Sequence, residues 1–209
     1  MCGIFGAIGR EMDYRTLWEI IERAGRRGPH ASGIAWLKNG GILARKLPGA
    51  VVPDDLLAGI TTPALIGNCR LSTSGTPRNE NNNQPIVLPG VAVSHNGNIP
   101  GHLRLAEELG IKLETDCDSE IIGHLLNRYG MEKALERLQH ARPMALLVLQ
   151  KNKITAFRFG QPLYHAVING GHYFCSRFFN WSNLLPEGKA IEFCTEVENE
   201  NHQNVVIRA

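Results

Sequence analysis

Apolar and polar positions along the chain follow two periods. Leu17, Ile20, Ile21 and Ala24 recur at helical spacing and form one apolar face, which predicts a helix from Asp13 to about Gly25, with Asp13 as its cap. Ile121, Ile122, Leu125, Leu126 and Tyr129 predict a second helix over Ser119 to Tyr129 in the same way. Weaker helical patterns cover Pro53 to Ile60, Leu103 to Leu109 and Glu132 to Gln139.

Between these lie strand-like runs. Gly3 to Ile8 is a small-residue strand, and Gly33 to Lys38 with Ile42 to Leu47 flank the turn residues Asn39, Gly40 and Gly41 as a hairpin. Ala64 to Cys69 reads as a buried strand running into a long polar loop that ends at Pro85, and Val91 to Ser94 as another strand. From Ala145 onward four short strands follow: Ala145 to Gln150, Ile154 to Phe159, Leu163 to Ile168 and His172 to Cys175. Turn signals at Lys151-Asn152-Lys153 and Asn169-Gly170-Gly171 predict that they form an antiparallel meander. Strands at both ends with helices between them predict an α+β domain whose two sheets pack face to face beneath helices. No repeat or linker interrupts it, so residues 1–209 read as one domain.

Composition narrows the function classes. The 22 basic and 20 acidic residues nearly cancel, which argues against nucleic acid or an anionic membrane as partner. MCGIFGAIGREMD has no basic leader, and its apolar stretch is too short for a membrane span, so a cytoplasmic location is expected. The five cysteines include no C-x-x-C pair, and the histidines lack ligand spacing, so neither a disulfide framework nor a metal is expected.

Cys2 is the sharpest chemical feature. A Met before so small a side chain is normally removed, leaving a thiol and a free α-amine on one residue. An α-amine titrates near ~7.7–8.0 and can take the thiol proton, as the amine of N-terminal threonine nucleophiles does. A Met-Cys start is common, and a lone cysteine is usually a small hydrophobe. Further segments change that balance: RRGPHASGI at Arg26 to Ile34, GNCRLSTSG at Gly67 to Gly75, NQP at Asn83 to Pro85, SHNGNI at Ser94 to Ile99 and TDCDSEIIGHLL at Thr115 to Leu126.

With MCGIFGAIG at the start, these segments occur in the order seen in class II, or N-terminal nucleophile, glutamine amidotransferases, which the chain resembles over most of its length. The resemblance implies the four-layer αββα sandwich of N-terminal nucleophile hydrolases. It also implies hydrolysis of the side-chain amide of L-glutamine to glutamate and ammonia through a Cys2 γ-glutamyl thioester, with no cofactor. Glutamine must be held by its α-groups so that only its amide reaches the thiol. Arg70, a permanently charged fork, suits the α-carboxylate and Asp118 the α-ammonium, although Asp118 also stands where a helix cap would. The Asn96 side-chain amide and the Gly97 N–H could form an oxyanion hole, although Asn-Gly is also a common hairpin turn. Arg27 is implied to orient the N-terminal cysteine, and Thr73 and Ser74 to line the glutamine pocket.

The pattern also departs from the family. His30 stands where an acidic residue usually follows the R-G-P turn, and Asn68-Cys69 replaces the more familiar His with Thr or Val before the arginine. The segments are similar to parts of the amidophosphoribosyltransferase, hexosamine-phosphate synthase and asparagine synthetase branches. Only some twenty residues follow Pro186-Glu187-Gly188, and no phosphate-binding loop is present. The reading is therefore a stand-alone glutaminase half whose ammonia passes to a synthase or acceptor protein in trans. Two other classes stay open: an N-terminal nucleophile hydrolase of another γ-glutamyl amide, and a non-catalytic regulatory subunit keeping the fold. Product formation from glutamine against γ-glutamyl peptides separates them.

Overall fold

The computed structural model describes residues 1–72, 76–195 and 205–208, the backbone alone for 195 and 205–208. Thr73 and Ser74 lie outside the described residues. The chain begins with β1 (Gly3–Ile8), α1 (Tyr14–Gly25), β2 (Ala31–Lys38), β3 (Gly41–Pro48), α2 (Pro53–Leu57) and β4 (Ala64–Arg70). It continues with β5 (Ile86–Leu88), β6 (Val91–Asn96), α3 (His102–Glu108), α4 (Glu120–Arg137), β7 (Met144–Gln150) and β8 (Lys153–Phe159). The last elements are β9 (Tyr164–Ile168), β10 (Gly171–Cys175), β11 (Asn183–Leu184), β12 (Ile191–Thr195) and β13 (Val205–Arg208).

Two sheets form, in the orders β11-β9-β10-β1-β4-β2-β3 and β13-β12-β8-β7-β6-β5. Strand alternation sends Ile4, Ile8, Ala64 and Ile66 from the first sheet, and Ala92, Ala145, Leu147 and Leu149 from the second, into one shared core. The opposite face of the first sheet buries Phe5, Leu65 and Tyr173 against Leu17, Ile20, Ile21 and Ala24 of α1. The opposite face of the second buries Val93, Leu146 and Phe157 against Ile121, Ile122 and Leu125 of α4. The result is the four-layer αββα sandwich.

Local signals act as the residue types dictate. The Asp13 carboxylate accepts from the Thr16 N–H at 2.7 Å and from its hydroxyl at 2.6 Å, capping α1. Asn39 and Gly40 turn the β2–β3 hairpin, both with positive φ. Gly130 leaves helical geometry (φ 76°, ψ 176°) and splits α4 where the sequence placed the gap between two helices.

The meander expected from Ala145 to Cys175 does not form. Each hairpin pairs locally, but β7 and β8 belong to the second sheet while β9 and β10 belong to the first. The chain crosses between sheets over Gly160 to Leu163, where Gly160 takes φ +73° and Leu163 is buried in the inter-sheet core. The strand that claims β10 is β1, from the other end of the sequence, a pairing that local periodicity cannot report.

At one edge of that core, His165 Nε2 and His172 Nδ1 lie 2.9 Å apart, with Phe174 and Phe193 against them. Burial, and then His172, hold His165 at about 4, and burial lowers His172 too. A folded-state pKa below the unfolded value means that unfolding takes up protons, so this contribution is whole above about pH 6.5 and lost as pH falls toward 4. Urea unfolding of wild type and His165→Phe at pH 7 and 4.5 checks it. The variant should lose about 1–2 kcal/mol less than wild type on acidification, and equal losses would contradict the assignment.

Candidate active site

The first sheet carries Cys2 to the place where the two sheets meet. Gly3 pairs with Cys69, so Cys2 stands beside the end of β4. Alternation puts it on the same side as Ile4 and Ile8, toward the second sheet. Gly3 is required here because a Cβ would lie 2.0 Å from the Ala24 carbonyl oxygen; the end of α1 thus packs directly on the start of β1. That packing brings Arg27 close. Half buried, Arg27 donates from Nη1 to the Ser176 carbonyl at 3.0 Å, and Ser176 is itself tied to Ile4 through both backbone and hydroxyl.

The Cys2 thiol is half buried and donates to the Leu71 carbonyl at 3.7 Å. Burial raises its pKa above the ordinary thiol value; the N-terminal charge and Arg70 pull it down, and Asp118 pushes it up. A thiol held protonated at neutral pH needs a base as it attacks, rather than a preformed thiolate. Both Arg70 and Asp118 are therefore within electrostatic reach of the sulfur.

Arg70 ends β4 on the inter-sheet face, 4% exposed, and its Nη1 donates to Asn83 Oδ1 at 2.7 Å. Asp118 is 7% exposed. Its carboxylate accepts from the Ile99 N–H at 2.7 Å and from the Ser119 hydroxyl at 3.3 Å, so the helix-capping role left open for Asp118 is not the one it fills. The Ser119 hydroxyl also meets His95 Nδ1 at 3.0 Å. Burial lowers the pKa of His95, against the pull of Asp118. A chain of hydrogen bonds thus runs from His95 through Ser119 to Asp118.

Asn96 is the last residue of β6 and fully buried. Its Nδ2 donates to Gln161 Oε1 at 3.1 Å, and Gln161 Nε2 donates in turn to Met1 Sδ at 3.0 Å, so Asn96 sits one side chain away from the N-terminal residue. Asn96-Gly97 does not make a hairpin: no strand follows before α3. At Gly97 a Cβ would stand 2.5 Å from His95 Nε2 and 3.1 Å from the Pro143 carbonyl, so only glycine fits without displacement.

Cys2, Arg27, Arg70, Asn96, Gly97 and Asp118, widely separated in sequence, are thus carried to one end of the sandwich. The sequence reading had no role for the side chains that hold this end together. Asn68 donates from Nδ2 to Gln84 Oε1 and to the His95 carbonyl, both at 3.2 Å, and Gln84 Oε1 also accepts from the His95 N–H at 2.6 Å. These bonds bridge β4 of one sheet and β6 of the other. N-Q-P was visible as a motif, but the partners of its amides lie on strands that only the fold brings together. Gln161 carried no signal beyond a turn-like G-Q-P. His30, the departure at the R-G-P turn, accepts from the Ser72 N–H through Nδ1 at 3.0 Å and steadies the chain after Arg70. Among the described residues, no group of three or more His, Cys, Asp or Glu is arranged to hold a metal, and no helix is long and apolar enough to cross a membrane.

Two facing antiparallel sheets between helical layers, with Cys2 just before the central strand β1, make an αββα sandwich of the N-terminal nucleophile hydrolase type. The B. subtilis structure titled glutamine phosphoribosylpyrophosphate amidotransferase shares that fold, with a TM-score of 0.72 at 20% identity over 99% of this chain and 49% of that one. So does the glutamine aminotransferase class-II domain protein from Silicibacter pomeroyi, with a TM-score of 0.68 at 14% identity over 99% of this chain and 98% of that one. The family model described as glutamine amidotransferase domain matches residues 68–180. The chain belongs to this family, as a class II glutamine amidotransferase domain. Among curated proteins it is similar to glutamine--fructose-6-phosphate aminotransferase [isomerizing] of Rhizobium meliloti, at 32% identity over 78% of this chain and 29% of that protein. The Aquifex aeolicus protein of the same name is 28% identical over 91% of this chain and 34% of its own length. The chain thus spans about a third of the length of these relatives.

Proposed function

We propose that this domain hydrolyses the side-chain amide of L-glutamine to glutamate and ammonia through a γ-glutamyl thioester on Cys2. The observation that carries the reading is the meeting of Cys2, Arg70, Asp118 and Asn96 at one end of the inter-sheet core. Family membership and the names of the relatives, which pair glutamine with amino-group transfer, support it.

Met1 precedes Cys2 in this structure, and its removal would free the α-amine. That amine takes the thiol proton as sulfur attacks the amide carbon, and the carbonyl oxygen becomes an oxyanion held by the Asn96 amide and the Gly97 N–H. Collapse breaks the C–N bond, the amine returns its proton to the leaving nitrogen, and ammonia departs from a thioester. Water then attacks the thioester, releasing glutamate and restoring the thiol. Arg70 binds the substrate α-carboxylate and Asp118 its α-ammonium, while Arg27 steadies the N-terminal residue through its bond to Ser176. Thr73 and Ser74 are proposed to complete the glutamine pocket. The 209 residues act as one amidotransferase domain, and its ammonia passes to an acceptor rather than to bulk water, because free ammonia near neutral pH is mostly ammonium, a poor nucleophile.

Contacts to the α-groups exist in ground and transition states alike, so their loss weakens binding more than turnover. Arg70→Ala and Asp118→Ala should each raise the KM for glutamine on the order of 10-fold or more, with kcat within a few-fold of wild type; Arg70→Ala should be the larger because a charged fork is lost. Steady-state assay with glutamine and with γ-glutamyl peptides tests both points. Faster turnover of the peptides than of glutamine would move the reading to another γ-glutamyl amide. The acceptor is tested by affinity purification from the native host, followed by glutaminase assay with and without the recovered proteins. Fast hydrolysis by the chain alone, unchanged by every one of them, would make it a free-standing glutaminase.

A further inference from the structure

Gln161 lies on the crossing between the sheets, 6% exposed. Its backbone is fixed on both sides. Arg158 Nε donates to the Gln161 carbonyl at 2.9 Å while Arg158 Nη1 donates to the Leu185 carbonyl at 3.0 Å. Gly160 before it has φ +73° and packs so closely on Pro143 that a Cβ would stand 2.6 Å from the proline Cβ. Asn96 is anchored by the same part of the fold, since it pairs with Ala145 of β7, next to Met144, which bridges to Gly160. The two amides therefore face one another from a single rigid frame.

An asparagine amide can sit in two orientations related by a half-turn, with nearly the same shape and opposite polarity. Only the one that presents Nδ2 to the reacting oxygen stabilises an oxyanion; the other presents Oδ1 and repels it. In the structure, Asn96 Nδ2 is the atom bonded to Gln161 Oε1, and Asn96 Oδ1 is buried with no hydrogen-bond partner among the described residues. Leaving a buried acceptor unmade is costly. With Gln161 Oε1 toward Asn96, as it stands here, a half-turn of Asn96 alone would set two carbonyl oxygens against each other, which costs more.

Resting on the proposed oxyanion role of Asn96, we infer that Gln161 is a positioning residue that selects the donor-outward orientation of Asn96 by accepting one of its two amide hydrogens. The second hydrogen of Nδ2 is left for the oxyanion. Gln161 touches no reacting atom in this scheme, so it acts on turnover alone and only through Asn96.

A double-mutant cycle on the full chain tests this, with steady-state glutaminase kinetics for wild type, Gln161→Met, Asn96→Ala and the double variant. Methionine keeps the length of the side chain and removes the acceptor. Gln161→Met should lower kcat on the order of 10-fold with KM within about 2-fold, and in the Asn96→Ala background it should have no further effect. Gln161→Ala, read the same way, serves if Gln161→Met does not fold. A kcat equal to wild type, a change confined to KM, or an equal loss in both backgrounds would overturn the inference while leaving the oxyanion hole standing. A wild-type kcat for Asn96→Ala would instead remove the oxyanion role itself, and the inference with it.

Discussion

Cys2→Ala is expected to abolish glutamine hydrolysis while leaving the fold intact. In the proposed reaction the thiol forms the bond that splits amide cleavage into two steps, and the buried thiols nearby are poor replacements for it. Cys69, Cys117 and Cys175 are buried, and burial raises the pKa of each, well beyond the ordinary thiol range for Cys69 and to about 12 for Cys175; such thiols are inert. The loss should amount to at least about 10⁴-fold in kcat. Folding should survive because Cys2 precedes β1 and contributes one long sulfur contact, to Leu71, rather than core packing. Initial-rate ammonia release, with a thermal melt of the same sample, checks both parts. Residual activity within 100-fold of wild type, in a chain with an unchanged melt, would mean that the nucleophile lies elsewhere.

Asn96→Ala should lower kcat by about 10²–10³-fold, the cost of removing one oxyanion donor, with little change in KM. Asn96 is fully buried, and its amide is already oriented by Gln161, so no reorganisation is needed as charge develops. Gly97 N–H remains in the variant, which is why the expected loss is smaller than for Cys2→Ala. Steady-state kinetics with glutamine decides the point: near-normal kcat with a raised KM would place Asn96 in ground-state binding instead.

What was legible in the sequence and what was not divides along the range of the interactions. The α1 cap at Asp13, the Asn39-Gly40 hairpin and the break at Gly130 are set by residues within a few positions of one another, and each was readable. β12, with the alternating Ile191 and Phe193 in the inter-sheet core, is not readable locally, because five residues near the chain end look like a tail until β8 is there to pair with them. The misplaced meander has the same cause, since β10 belongs to β1 across almost the whole sequence.

The candidate site behaves likewise. Arg70 and Asp118 could be named because a charged group within a motif is conspicuous on its own. The amides that hold them and their neighbours, Asn83 on Arg70, Gln84 on the His95 backbone and Gln161 on Asn96, are ordinary polar residues whose partners lie on other strands. The resemblance could mark the N-Q-P segment without saying what it touches. His95 gives the converse lesson: a buried histidine in the middle of a site-like motif turns its ring away from the inter-sheet face, toward Ser119 at the start of α4.

If Cys2, exposed as the N-terminal residue, is the nucleophile, an electrophile shaped like glutamine should find its sulfur. The most direct measurement is peptide mass spectrometry of active protein treated with a diazoketone analogue of glutamine, which traps the attacking sulfur. One adduct should form, on a peptide that begins at Cys2 and lacks Met1, at a rate that glutamine slows by competition. An adduct on another cysteine, or full glutaminase activity in protein that retains Met1, would contradict that role for Cys2.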